Sequence, residues 1–346
     1  MKKFLIYSDC HFSQYSSIVR SMGDKYSKRL HNLIKSISWA ESLADQYNCD
    51  GVINLGDFFD RPDLNPMEIT ALQDVYFCNR PHTIITGNHD ANISNLEFSS
   101  VQIFKSMDAK VITKPEVEKI NNFVSFCYVP YLTEDKKTTL REITSDINSN
   151  KVVVFSHNEI AGLRYGKIIS QSGFNINDII ESCDLFVNGH LHNSGFINDK
   201  ILLAGNLTGQ NFNEDSTKYD HYAYILTIED NGSIILDPYI NPYALNFYKL
   251  YINKSSDLEI LNNLKNNSVL SISCNPKLVS EINRLLKSKD NIIEYRLITI
   301  YNNSSNNVDE LEFKSGDHLQ QFIEYVQTKI SPSEVLSEEI VKLTSM

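Results

Sequence analysis

Five short polar segments, each directly after an apolar and mostly β-branched run, constrain the fold of this chain more than any other feature. The segments are Asp9-Cys10-His11, Gly56-Asp57-Phe58-Phe59-Asp60, Gly87-Asn88-His89-Asp90, Ser156-His157-Asn158-Glu159 and Gly189-His190-Leu191-His192. The preceding runs, such as 4–7 and 152–155, are typical of buried strands. Because ligands in open α/β sheets bind where strands end, the pattern predicts an α/β fold with one site built from several strand ends.

The side chains in these segments include seven hard or borderline metal ligands. They are Asp9, His11, Asp57, Asn88, His157, His190 and His192. Each one alone has a structural explanation, since Asp57 could cap the turn after its strand and a single buried histidine is usually structural. Five of the nine histidines nevertheless fall inside the segments. The set predicts two divalent ions that share a carboxylate. Carboxylate, imidazole and amide ligands favour Mn²⁺, with Mg²⁺ or Fe as substitutes.

The composition sets limits on the class of protein. The formal net charge of −11 argues against a simple nucleic-acid-binding protein, which usually carries a basic excess. It does not exclude a nuclease, because two divalent cations add positive charge where a phosphate would lie. Six scattered cysteines without a Cys-x-x-Cys pair predict reduced thiols and a cytoplasmic location. No apolar run approaches the roughly 20 residues of a membrane span, so no membrane association is expected.

Strand and helix signals alternate over the first half of the chain, and antiparallel strand signals follow. The order predicts a two-sheet sandwich flanked by helices over 1–240. Helices are expected at about 24–47 and 136–148, and another opens at Asn65-Pro66 with proline at its first position. Asp230-Asn231-Gly232 predicts a hairpin turn. Basic residues after the first polar segment are candidates to line a groove: Arg20, Lys25, Lys28 and Arg29.

The remainder of the chain divides into three further parts. Beyond a break marked by Pro238 and Pro242, alternating signals predict a small α+β domain over 244–301. An Asn- and Ser-rich linker is expected over 302–316. Capping patterns and apolar faces at helical spacing predict a tail of two short amphipathic helices over 317–346. Their apolar faces need a partner surface, either on their own domain or on another subunit.

All five polar segments in this order resemble the motifs of the calcineurin-like metallophosphoesterases, and the resemblance covers roughly 1–240. Within that superfamily the chain most resembles the SbcD-type, Mre-family DNA-repair exonucleases, including the recombination-endonuclease subunits of T-even-like phages. The resemblance implies a two-sheet metallophosphoesterase sandwich. It also implies that 244–301 is a capping domain that helps to bind DNA, and that the helical tail binds a partner ATPase.

The resemblance also assigns roles to individual residues. It implies one ion held by Asp9, His11, Asp57 and His192 and a second held by Asp57, Asn88, His157 and His190. His89 would act on the scissile phosphate, with Asp90 orienting it. Asp60 stands where eukaryotic and archaeal relatives carry histidine, so its role is open: it could lie behind the metal ligands or fix the Arg61 loop by hydrogen bonding.

The function implied is that of a manganese-dependent DNA nuclease subunit, a 3′-to-5′ exonuclease on duplex ends and an endonuclease on single strands. The implied partners are DNA, an SbcC-type SMC-like ATPase and a second copy of the chain, which would pair through the stretch around 15–47. The sequence has no Gly-x-x-x-x-Gly-Lys-[Ser/Thr] motif, so ATP dependence would come from the partner. One alternative is a small-substrate phosphatase or nucleotide hydrolase of the same superfamily. A non-catalytic scaffold is another, against which the intact ligand set argues.

Overall fold

The chain folds into two six-stranded sheets packed face to face, followed by a smaller three-stranded sheet. The computed structural model describes residues 1–300 except 16–18, 20–21, 24, 93–94, 134–137, 166–167 and 215. The predicted linker 302–316 and helical tail 317–346 lie outside the described residues. The predicted two-sheet α/β sandwich is confirmed.

The first sheet has the order β16-β15-β1-β2-β3-β4. Its strands are β1 (Lys2–Tyr7), β2 (Gly51–Asn54), β3 (His82–Ile85), β4 (Lys110–Ile112), β15 (Tyr222–Ile228) and β16 (Ile234–Ile240). β1 to β4 are mutually parallel, whereas β15 pairs antiparallel with β1 and with β16. The β15–β16 connection is the predicted hairpin, in which the Gly232 N–H donates to the Glu229 carbonyl at 2.9 Å.

The second sheet has the order β13-β14-β12-β7-β6-β5. Its strands are β5 (Glu116–Lys119), β6 (Val124–Val129), β7 (Lys151–Ser156), β12 (Leu185–Asn188), β13 (Gly195–Asn198) and β14 (Ile201–Leu203). The four central strands are parallel and the two edge strands are antiparallel to their neighbours. Two small strand pairs lie between β7 and β12 in sequence: β8 (Ile160–Ala161) with β11 (Phe174–Asn175), and β9 (Arg164–Tyr165) with β10 (Ile168–Ile169).

Five α-helices are present in the described residues. They are α1 (Lys28–Gln46), α2 (Pro66–Leu72), α3 (Leu140–Thr144), α4 (Ile176–Ser182) and α5 (Val279–Lys287). The predicted start of α2 is confirmed. The Asn65 side chain accepts from the Met67 and Glu68 N–H groups at 2.9 and 3.0 Å, and the Glu68 carboxylate accepts from the Asn65 N–H at 3.1 Å. This capping box stabilises the first turn, where Pro66 has no N–H to satisfy. The helix predicted at 136–148 is shorter, since α3 covers only five residues.

The apolar residues form layers that follow the alternation of side chains along each strand. Ile6 of β1 belongs to the core between the two sheets, together with Phe126 and Phe155 of the second sheet. Its neighbours Leu5 and Tyr7 point to the opposite face, where they pack with α1 and α2. A third cluster covers the outer face of the second sheet under α3 and α4. These layers fix the two sheets so that the carboxyl ends of their parallel strands lie at a common edge.

The small sheet consists of β17 (Asn246–Ile252), β18 (Ser268–Cys274) and β19 (Ile292–Thr299), all parallel. Parallel neighbours need long crossovers, which here contain the 3₁₀ helix Ser255–Asn263 and, between β18 and β19, the 3₁₀ turn Pro276–Leu278 followed by α5. The first crossover is therefore 3₁₀ rather than α-helical. One face of this sheet has its own core and the other packs Phe247 against Phe212.

None of the helices in the described part of the chain combines the length and apolar character needed to span a bilayer.

Candidate metal centre

The first two polar segments lie side by side because the parallel pairing of β1 and β2 continues past the strand ends. The Asp9 N–H donates to the Gly56 carbonyl at 3.1 Å, and the His11 N–H donates to the Asp57 carbonyl at 3.0 Å. The backbone hydrogen bonds therefore fix the spacing of the side chains. This edge of the sheet carries two carboxylates and an imidazole within a few residues.

The backbone at this edge adopts conformations that most residues avoid. Asp9, His11, Asp57 and His190 have φ of 49°, 46°, 47° and 69°, and they are four of the seven non-glycine residues with positive φ in the described residues. Such conformations cost free energy and persist where the surrounding structure holds them, commonly at functional sites. Gly56, at φ 107°, is required for close approach as well, since a Cβ there would lie 2.6 Å from the His157 ring.

Asp9, His11 and His192 form one group whose ligand atoms all lie within 4.8 Å of one another. The Nε2 atoms of His11 and His192 are 3.2 Å apart. Asp9 is fully buried, and both of its carboxylate oxygens accept from the His190 N–H at 3.1 Å. This contact joins the end of β1 in the first sheet to the segment after β12 in the second.

Asp57, His157 and His190 form a second group with the same 4.8 Å limit. The His157 Nε2 lies 3.1 Å from Asp57 Oδ2. The Asn88 Oδ1 lies between the two rings, 3.2 Å from His157 Nε2 and 2.9 Å from His190 Nδ1. Asp57 Oδ2 is also 3.8 Å from His11 Nε2, so this carboxylate stands between the two groups.

The orientation of the rings indicates that cations fit both groups. His11 Nδ1 is 3.1 Å from the Asp60 carboxylate, and His192 Nδ1 is 3.0 Å from the carboxylate of Glu214. Ionised carboxylates only accept hydrogen bonds, so Nδ1 carries the proton in each ring. In the neutral rings both Nε2 lone pairs then face each other, an arrangement that a shared cation stabilises. Carboxylates behind ligating histidines are the usual outer partners of metal sites.

The second group leads to the same conclusion. His157 Nδ1 is 2.8 Å from the Leu55 carbonyl, which can only accept, so Nδ1 donates. Nε2 then faces two acceptor oxygens, on Asp57 and Asn88, which a proton on the ring satisfies in the metal-free protein and which a bound cation would satisfy in its place. The structure thus brings all seven ligands implied by the resemblance to one edge, in two groups that Asp57 could join. Their assignment to individual ions stays a prediction.

The sequence profile of the calcineurin-like phosphoesterases matches residues 2–194, more than half of the chain. The chain belongs to this family. It is therefore a metal-dependent phosphoesterase of a fold that uses two divalent ions, and the two residue groups at the sheet edge are its candidate ligands. The matched residues include all five polar segments.

Solved structures that resemble this phosphoesterase include three hydrolases. A dimetal phosphatase from Danio rerio has 12% identity and a TM-score of 0.45, with 69% of this chain and 99% of that chain covered. The calcineurin-like phosphoesterase YfkN from Bacillus subtilis has 11% identity and a TM-score of 0.40, with 69% and 90% covered. Purple acid phosphatase PPD1 from yellow lupin (Lupinus luteus) seeds has 12% identity and a TM-score of 0.44, with 69% and 51% covered. No curated protein matches the chain by sequence.

The protonation of the two buried histidines in the second group differs because their surroundings differ. Burial lowers the pKa of His157, but the charge and hydrogen bond of Asp57 outweigh burial and raise it to about 9. Burial and the neighbouring His157 charge lower the pKa of His190 to about 4. His190 is thus neutral and able to bind a metal at pH 7. His157 in the metal-free phosphoesterase forms an ion pair with Asp57.

The structure does not place Asp90 against the His89 ring, where the resemblance implies it. Asp90 is fully buried, and its two carboxylate oxygens accept from the Phe59 and Gly87 N–H groups at 2.9 Å each. Burial and the charge of Asp57 raise the pKa of Asp90 to about 7. The half-exposed His89 ring has its Nδ1 3.0 Å from the Asp60 carbonyl, while the His89 N–H donates to Asp57 at 2.8 Å. Asp60 therefore contacts both His11 and His89, and Asp90 holds the turn beneath them.

Glu214 is a site residue that the sequence analysis missed. Its Oε1 contacts His192, and its Oε2 accepts from the Gln210 N–H at 2.9 Å. The Gln210 side chain in turn donates to the Cys10 carbonyl at 3.2 Å and accepts from Arg29. This network fixes the loop that carries Glu214 against the first polar segment.

Arg29 does not line a groove. The side chain is buried and donates to the Gly209 carbonyl at 2.6 Å as well as to Gln210. Lys25 forms an ion pair with Asp74 at 2.6 Å. Arg20 lies outside the described residues. Lys25 and Lys28 both keep exposed side chains and line one cleft, so they are the members of this set that remain candidates for substrate contact.

We expect the stability of the metal-free phosphoesterase to depend on pH through His157. Because its folded pKa of about 9 exceeds the unfolded value, its contribution is fully present below about pH 6.5 and is lost as pH rises through 9. The size is about 3 kcal/mol. His157→Asn, whose amide can still donate to Leu55, removes it. Urea unfolding in chelator should show a wild-type advantage that shrinks between pH 6 and 10. An advantage independent of pH would contradict the assignment.

Replacing Glu214 by glutamine should weaken metal binding by about 10- to 100-fold, because the charge that holds the His192 ring and raises its basicity is lost. Isothermal titration of the metal-free protein with Mn²⁺ measures the change. The control is Glu259→Gln, an exposed position in the small α+β part. Equal affinities in the two variants would show that Glu214 does not support a metal ligand.

Proposed function

We propose that this phosphoesterase is a two-metal DNA nuclease, an exonuclease with 3′-to-5′ polarity on duplex ends and an endonuclease on single strands. The observation that carries the proposal is a basic cleft between α1 and the small sheet, on a molecule that bears a metal centre at an open sheet edge. A phosphodiesterase for a long polyanion needs contacts beyond the reacting phosphate. The cleft offers such contacts despite the acidic net charge.

The cleft has a volume of about 400 Å³ and is lined by α1, by residues before β17 and by Ile293. Lys28, His31 and Lys35 are exposed and lie three and four residues apart, so they share one face of the helix. Lys28 Nζ also approaches the Ile293 carbonyl at 3.3 Å. Lysines that track a phosphate backbone supply affinity without sequence preference. The next residue, Arg29, connects the same helix to the metal centre through Gln210 and Glu214.

The chemistry divides between the ions and the side chains. Two divalent ions of the Mn²⁺ class would supply an activated water as nucleophile and charge stabilisation on the phosphoryl oxygens. Asp57 would orient both ions and fix the backbone of His89 through its N–H hydrogen bond. His89 has its Nδ1 on the Asp60 carbonyl, which leaves Nε2 to stabilise the transition state or to protonate the leaving oxygen. Its exposure allows a large substrate to reach it.

A small-substrate phosphoesterase is the second candidate, and one cavity favours it. A cavity of about 440 Å³, a size typical of small-molecule sites, contains Tyr131, whose ring centre is 6.2 Å from that of His190. Glu142 and Glu159 also line it. Because these carboxylates would repel an anionic substrate, the basic cleft supports the nuclease more strongly.

Digestion of end-labelled duplex and single-stranded DNA in Mn²⁺ tests the proposal. The wild-type protein should cleave both, and His89→Asn should reduce the rate about 10²- to 10⁴-fold because a positioned proton donor is lost. Both proteins should bind the same amount of metal.

Lys28→Glu combined with Lys35→Glu should weaken DNA cleavage and reduce the dependence of cleavage on salt concentration, but leave turnover of bis-p-nitrophenyl phosphate unchanged.

Two results would contradict the nuclease proposal. One is uncut DNA, with and without the ATPase partner, from protein that holds two ions per chain and hydrolyses bis-p-nitrophenyl phosphate. The other is faster turnover of free nucleotides than of DNA, which would favour the small-substrate candidate.

We further propose that the segment 317–346 binds the coiled coil of an SMC-like ATPase, through apolar residues at helical spacing such as Phe322 and Val326. Phe322→Asp with Val326→Asp should abolish co-purification with that ATPase, while Gln321→Asp with Gln327→Asp should not. Hydrolysis of bis-p-nitrophenyl phosphate should be unaffected in both. Retained co-purification of the Phe322 and Val326 variant would overturn this proposal.

A further inference from the structure

A second cluster of metal-binding side chains lies at the opposite end of the first sheet from the metal centre. His82 is the first residue of β3, whereas the catalytic segment containing Asn88 follows its last residue. Glu41 reaches the same point from α1, and Cys78 reaches it from the loop after α2. All three side chains are buried, and their ligand atoms lie within 4.8 Å of one another.

The distances in this cluster suit a small divalent ion. His82 Nε2 is 3.1 Å from Glu41 Oε2. Two nitrogen or oxygen ligands of a tetrahedral zinc ion, each bound at about 2.0–2.1 Å, lie about 3.3 Å apart. A thiolate, an imidazole and a carboxylate are also the ligand types that zinc prefers. The three protein ligands leave one coordination position for water.

The orientation of the His82 ring points to a cation at Nε2. His82 Nδ1 is 2.7 Å from the Arg80 carbonyl, and a carbonyl can only accept, so Nδ1 donates. In the neutral ring the Nε2 lone pair is then directed at a carboxylate oxygen. A backbone carbonyl behind one ring nitrogen is a common outer contact of metal-ligating histidines.

Charge balance supports the same occupant. Glu41 has no exposed surface, and a buried carboxylate needs a compensating positive charge. The nearby Arg80 guanidinium lies instead 3.6 Å from Asp45, which leaves a protonated His82 or a bound cation as the compensating charge. A divalent ion with one carboxylate, one thiolate and one neutral imidazole has zero net charge. Tyr7 donates to the other oxygen of Glu41 at 2.7 Å and so orients the carboxylate.

We propose that Glu41, Cys78 and His82 form a third metal site, which binds a zinc-class ion and is separate from the two catalytic ions. The ion would connect α1, the loop after α2 and the start of β3, and so stabilise the end of the sheet remote from the reaction. Binding requires loss of the Cys78 thiol proton, so its affinity rises with pH. The competing arrangement is a metal-free pair of protonated His82 and ionised Glu41.

Cobalt titration of the full-length protein distinguishes these arrangements, because a cysteine thiolate bound to Co²⁺ gives a strong near-ultraviolet charge-transfer absorption. None of the seven candidate catalytic ligands is a cysteine, so the catalytic ions should not contribute to the band. The wild-type protein should show the band, saturating at one thiolate-bound ion per chain. Cys78→Ser and His82→Asn should abolish it, with the catalytic ions retained.

The matched controls are Cys49→Ser and Cys10→Ser, two buried cysteines in the same apolar cluster as Cys78. Both should keep the band. Absence of the band in the wild-type protein would establish the metal-free pair and overturn the proposal. A band that survives Cys78→Ser, or one that disappears in Cys10→Ser, would do the same by placing the thiolate elsewhere. If Cys78→Ser fails to fold, loss of the band in His82→Asn and its retention in Cys49→Ser and Cys10→Ser decide the case.

Discussion

The carboxylate of Asp57 is the contact on which the remaining geometry of the metal centre depends. It follows β2 in the first sheet, yet one oxygen lies 3.1 Å from His157 after β7 in the second sheet. The other oxygen accepts from the His89 N–H at 2.8 Å. One buried group thereby joins both sheets and positions the residue assigned to the phosphate. Because the backbone after β2 continues to pair with the segment after β1, a register shift of one residue between these strands would move this carboxylate out of the site.

Bringing so many polar groups together has a cost that the surrounding structure offsets. Four site residues hold left-handed backbone conformations, and Asp57 and Asp9 are almost fully removed from water. Buried carboxylates without compensation destabilise a fold. Burial raises the pKa of Asp57, but His157 outweighs it and holds that pKa far below its usual range in the metal-free state. We infer that bound cations take over this role, which makes the metal part of the stability of the fold as well as of its chemistry.

Sequence reasoning located the residues that the structure brings together at the sheet edge because it needed only two facts, that apolar runs form strands and that polar residues follow them. It identified the start of α2 and the hairpin after β15 for similar local reasons, a capping box and an Asn-Gly turn. It missed Glu214, since that residue lies in a polar loop whose path depends on the distant Arg29. Arg29 itself was misplaced, because its charge suggested a surface position while its helical neighbours Leu30 and Leu33 are buried. Asp90 lies apart from the His89 ring because adjacency in sequence does not give contact across a tight turn.

A crystal structure of the Mn²⁺-soaked protein, with anomalous scattering recorded at the manganese absorption edge, would show whether Asp57 joins two ions. We expect two anomalous peaks at the sheet edge, about 3.5–4 Å apart, with the Asp57 carboxylate between them. Asp9, His11 and His192 would surround one peak, and Asn88, His157 and His190 the other. A single peak, or two peaks that do not share Asp57, would contradict the central role assigned to this carboxylate.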